Sequence, residues 1–111
     1  MLKILASFRV LLAAWILVVD PGTGHSQSGD VAIGEQIAAR ECAGCHGSGI
    51  AHGVTIQGVF VPSFSEIAGR PNQTRERLRA FVHIPRHPMP AIPLREQEMN
   101  QLVEYILSLK H

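Results

Sequence analysis

The run Cys42-Ala43-Gly44-Cys45-His46 constrains this chain more than any other stretch, with two thiols one helical turn apart and an imidazole directly behind the second. Thiols at that spacing can each add to one vinyl edge of a porphyrin and leave two thioethers. The adjoining imidazole is then carried under the ring, within reach of its iron. Three other readings compete. A redox-active dithiol sits at a helix start beside a βαβ pattern, and no run of alternating Val, Ile or Thr foretells such a sheet. Structural zinc needs two ligands beyond Cys42 and Cys45, sought among His46, His52, His83 and His87 without a second C-x-x-C. A plain disulfide leaves His46 unexplained. The favoured reading is one covalently attached haem c per chain, held by Cys42 and Cys45 with His46 on the metal.

The first residues read as a leader rather than as part of a domain. Lys3 and Arg9 precede the apolar run Val10 to Val19, which Asp20-Pro21-Gly22 breaks ahead of small residues. That run is too short for the roughly twenty residues a bilayer span needs. Residues 1–26 are therefore expected to be a cleaved signal peptide and 27–111 a single small domain, with no stable membrane span once the leader is gone. Of the ten basic and nine acidic side chains, Lys3, Arg9 and Asp20 leave with the leader, so eight of each sign remain. A near-neutral domain gives no support to nucleic-acid binding. Its large aromatics are Phe60, Phe64, Phe81 and Tyr105 alone. Domains this small rarely build a sufficient core unaided, and a covalently held porphyrin supplies the missing apolar mass.

Helix signals frame the motif. Asp30 is a candidate N-cap for a helix through Ile33 and Ile37 to about Arg40, which delivers the cysteines at its end. Gly47 to Gly58, rich in glycine, reads as a loop closed by Pro62. Ser63 caps a short turn with Phe64 and Ile67. Thr74 caps a helix carrying Leu78, Phe81 and Val82 on one side, and Pro85 ends it at His83 or Ile84. A final helix runs from about Glu96 to Leu109, with Met99, Leu102, Val103, Ile106 and Leu109 along its apolar side. Arg95 stands at its cap position without a hydroxyl, and Glu98 supplies only half of a capping box.

Pro85-Arg86-His87-Pro88-Met89-Pro90 holds three prolines in six residues and cannot be helical. A thioether fixed on such a stiff loop suits the far side of the iron, because a soft sulfur favours the ferrous state. Met89 is the expected sixth ligand. His87, His83 and His52 are the nitrogen alternatives, and Met99 belongs to the helix stripe.

Taken together, these residues resemble the class I cytochrome c family, in particular its small soluble bacterial members, from Asp30 to Lys110. Cys42 to His46 matches the haem motif, Met89-Pro90-Ala91-Ile92-Pro93-Leu94 is similar to the axial methionine loop, and Leu102-Val103-Glu104-Tyr105-Ile106 to the last-helix signature. The resemblance implies an all-α fold in which the first and last helices cross, with Tyr105 near Gly34 and one or two further short helices around the haem. It also implies that the carbonyl of Pro62 orients His46. The sequence departs from the family at Ala38, where an aromatic is usual, so the crossing would be completed by Phe60, Phe64 or leucines.

The function so implied is one-electron transfer in the periplasm by a carrier that is not itself an enzyme. Its expected partners are redox proteins such as a dehydrogenase, an oxidase or another cytochrome. Arg70, Arg75, Arg77, Arg79 and Arg86 form a basic cluster suited to an acidic partner or to haem propionates, with a solvated helix face as the plainer role of Arg75 and Arg79. The alternative function is a haem-based sensor or peroxidase-like protein in which the sixth position is open or displaceable.

Overall fold

The computed structural model describes residues 27–48 and 51–111, so the leader expected over 1–26 lies outside the described residues. In chain order the elements are α1 (Gln27–Glu41), α2 (Ala43–His46), β1 (Val54–Ile56), β2 (Val59–Val61), α3 (Phe64–Ala68), α4 (Arg75–His83) and α5 (Glu96–Ser108). Helices dominate, as the small cytochrome c fold requires, and the core is built where α1 and α5 cross with α3 and α4 against them.

The crossing is set by Gly34. A Cβ at that position would lie 1.9 Å from the backbone oxygen of Gln101 and 2.8 Å from Cβ of Tyr105, so only glycine lets the two helices approach this closely. Gly34, Ile37 and Ala38 are accordingly the buried side of α1. Ile33, whose spacing puts it on one helical face with Ile37, is turned aside and is 42% exposed. α1 also begins ahead of Asp30, which therefore sits in its first turn, where a carboxylate complements the helix dipole, rather than at its cap. From α5, Met99, Leu102, Val103, Tyr105 and Ile106 enter the core.

Thr74 caps α4 as expected, its Oγ1 accepting the Arg77 N–H at 3.2 Å. Leu78 and Val82 are buried, whereas Phe81 is 44% exposed and not part of the polypeptide core. Arg75 and Arg79, one turn apart on α4, pair with Glu104 and Glu96 on α5, and Arg79 also reaches Asn100. These two arginines tie α4 to α5, and the Arg77 guanidinium donates to the Asn72 carbonyl at 3.2 Å.

The segment expected as loop from Gly47 to Gly58 contains a hairpin. Val54 pairs with Val61, Thr55 with Phe60 and Ile56 with Val59, across a two-residue turn in which Gln57 and Gly58 have φ of 51° and 78°. Positive φ at both central residues defines the type I′ turn whose twist matches paired strands. The Val-Thr-Ile and Val-Phe-Val triplets were the signal, hidden by glycines on either side. One antiparallel pair is not the parallel sheet of a dithiol oxidoreductase.

Candidate functional site

The two cysteines and His46 occupy a helical hinge. The Cys42 N–H still donates to Ala38 at 2.9 Å as the end of α1, while its carbonyl accepts the N–H groups of Cys45 and His46 at 3.2 and 3.0 Å as the start of α2. Cys42 is half-buried against the core and Cys45 is exposed. Burial, with Glu41 adding to it, pushes the Cys42 thiol from 9.0 up to about 11. Thiols of redox-active pairs are shifted the other way, toward the thiolate. No three His, Cys, Asp or Glu side chains converge as a metal group among the described residues.

His46 is oriented from the far end of the hairpin. Its Nδ1 lies 2.7 Å from the carbonyl oxygen of Pro62. A carbonyl only accepts, so Nδ1 carries a proton, and in the neutral ring this leaves the lone pair on Nε2, the form a metal-binding imidazole needs. Phe64 packs beside the ring, centroid to centroid 5.3 Å at 32°. It also meets Tyr105 edge-on at 5.9 Å, within the core cluster that holds Ile37 and Ala38.

Glu66 escaped the sequence reading. Its Oε2 accepts the N–H of Ser63 at 2.8 Å and that of Gly53 at 2.9 Å, while the Ser63 hydroxyl accepts the Glu66 N–H at 3.2 Å. Ser63-Phe64-Ser65-Glu66 is the S-x-x-E capping box, so the signal was present. These bonds, that from Ser63 first, hold the Glu66 carboxyl below its ordinary 4.5. Gly53 has no room for a side chain, since a Cβ would lie 2.5 Å from Cζ of Phe60 and 2.7 Å from Oε2 of Glu66.

Met89 is half-buried and packs against the core cluster, at the end of a turn in which its N–H donates to Arg86 at 2.9 Å. His52, His83 and His87 are exposed. The donor set fits a covalent haem: paired thiols beside an imidazole with a free Nε2, a thioether facing inward, and apolar side chains such as Phe81 and Ile84 left outside the polypeptide's own core.

A helical domain with this arrangement is a c-type cytochrome. The chain belongs to the cytochrome c family, matching over residues 29–106 the family described as cytochrome C oxidase, cbb3-type, subunit III. It is also 34% identical over 95 residues to "Cytochrome c-552" of Bradyrhizobium diazoefficiens, an alignment covering 86% of this chain and 89% of that protein. No solved structure matches it. Membership makes haem c, covalently bound, the cofactor, and electron transfer the class of function.

Proposed function

We propose that the chain is a periplasmic one-electron carrier whose haem iron is ligated by His46 and Met89, with residues 1–26 as a removed leader and 27–111 as the working domain. When bound, the haem supplies an iron that gains and loses a single electron. Cys42 and Cys45 tether it, and the Pro62 carbonyl holds His46 in the one tautomer that offers Nε2 to a metal. Met89, presented by a proline-rich turn against the core, would supply a sulfur ligand to the iron and so deny a reactant access to it. Arg70 and Arg86, exposed outside helices, are the cations best placed for propionates or an acidic partner, since Arg75 and Arg79 are engaged by α5. Among the described residues no helix is long and apolar enough to cross a membrane.

The observation that carries this reading is the 2.7 Å bond between His46 Nδ1 and the Pro62 carbonyl. The name of the matching family supports a respiratory partner, an oxidase first, with a dehydrogenase or another cytochrome serving the same role. The deciding experiment is an optical spectrum of the exported protein, oxidised and reduced, with and without carbon monoxide. A low-spin spectrum with the methionine-to-iron band and no carbon monoxide adduct is expected. A high-spin spectrum with rapid adduct formation would instead establish the sensor or peroxidase-like alternative.

A further inference from the structure

The Pro62–Ser63 peptide is bonded at both ends. Its carbonyl accepts the proton on Nδ1 of His46 at 2.7 Å, and its N–H donates to Oε2 of Glu66 at 2.8 Å. The three groups therefore form one line, imidazole to peptide to carboxylate. Ser63 is fully buried and Pro62 half-buried, so the N–H side of this peptide is shielded from water while the carboxylate of Glu66 stays exposed. An ionised acceptor makes a hydrogen bond about twice as strong as a neutral one, and bonds in a chain polarise one another. A peptide whose N–H is drawn toward a carboxylate has a more negative carbonyl oxygen. That oxygen pulls harder on the imidazole proton, and the opposite nitrogen becomes the stronger donor, as when a carboxylate bonds a metal-bound histidine directly.

We propose that Glu66 is a positioning residue for His46, acting through the Pro62–Ser63 peptide to raise the imidazole's donor strength and hold the reduction potential down. The inference rests on His46 being an iron ligand. Its fixed geometry comes from the second bond to the same oxygen: Gly53 also donates to Oε2, so the carboxylate pins the beginning of the hairpin and the peptide after its end together. The depressed ionisation of Glu66, caused first by the Ser63 N–H, keeps the charge in place at neutral pH.

Glu66→Gln separates charge from geometry, because both donors reach a single oxygen that an amide also provides. The holoprotein of this variant is titrated electrochemically beside wild type and Glu98→Gln, which removes a similar capping carboxylate from the start of α5. Glu66→Gln is expected to shift the one-electron equilibrium roughly threefold to tenfold toward the reduced form, up to about 59 mV. Glu98→Gln is expected to shift it less than twofold. The Glu66→Gln shift should persist at about 1 M salt, where exposed charges are screened within about 3 Å, and the Nδ1 proton of His46 in the ferrous protein should move upfield. An unchanged potential in a native low-spin spectrum overturns the relay and leaves the carrier reading intact. A shift that vanishes in salt, or is matched by Glu98→Gln, also overturns it, in favour of a through-space charge. Should Glu66→Gln not assemble, Glu66→Asp keeps the charge but draws it one methylene back from the Ser63 N–H; a partial shift toward the reduced form is expected, and an unchanged potential would refute the proposal. Failure of wild type itself to show six-coordinate iron would instead remove the ligation on which it rests.

Discussion

Phe64 and Tyr105 meet edge to face, ring centroids 5.9 Å apart and 69° between planes, and this contact lies in the core cluster that includes Ala38. α3 thus gives the core an aromatic where α1 gives it Ile37 and Ala38. Phe64→Leu is expected to cost about 1–2 kcal/mol, from lost apolar contact and the aromatic pair. Ala38→Phe alone should overpack by a similar amount. Denaturant unfolding of the double variant should give a loss smaller than the sum of the two, since the new ring enters the space the old one leaves.

Gly34→Ala should be the more damaging change despite adding one carbon. Its Cβ would meet the Gln101 carbonyl oxygen, a backbone atom that cannot rotate away, so α1 and α5 must part. A loss of about 3 kcal/mol or more is expected, read as a lower urea midpoint with an unchanged slope.

Met89→Ala should keep the haem attached, lower the potential and admit carbon monoxide. A sulfur ligand favours the ferrous state, so its loss favours the ferric one. An unaltered potential and spectrum would transfer the sixth position to His87 or another group.

Cys42→Ala combined with Cys45→Ala should abolish the haem-dependent peroxidase stain on a denaturing gel, because no thioether then holds the cofactor to the chain. Retention of the stain would refute attachment at these two residues.

Acid should weaken the fold through Glu66 and Glu98. Both carboxyls ionise below 4.5 in the folded chain, Glu66 chiefly through the Ser63 N–H and Glu98 chiefly through the Arg95 guanidinium. A depressed folded value means stability that is complete above 4.5 and is lost as pH falls from there through the folded values. Urea midpoints should therefore be flat from pH 7 to about 5 and drop below that, with a shallower drop in Glu66→Gln/Glu98→Gln.

Much of this architecture was legible because its signals are local. Proline at 85 and threonine at 74 bracket α4, which ends at His83, one of the two residues expected, and α5 ends within one residue of its apolar stripe. Arg95 does lack the acceptor a cap requires, and Glu98 accepts the Arg95 N–H at 2.9 Å as the half box foretold. The misses arise where a neighbour decides. Ile33 and Ile37 share a helical spacing, but Gly34 draws α5 to one side of it. Phe81 follows the apolar pattern of α4 yet stays outside the core. The hairpin was masked by flanking glycines, and the bond from Gly53 to Glu66 by the thirteen positions between them. At the site, the cysteine and histidine spacing was plain, whereas the link from Pro62 to Glu66 depends on one peptide facing two ways.

The crossing at Gly34 joins segments nearly seventy positions apart, with α5 as the main partner of α1. A chain released from its amino end outward lacks the main partner of α1 until the last helix arrives. Cys42 and Cys45 lie before that point, so if they hold the cofactor as proposed, its attachment and the closing of the domain are separable events.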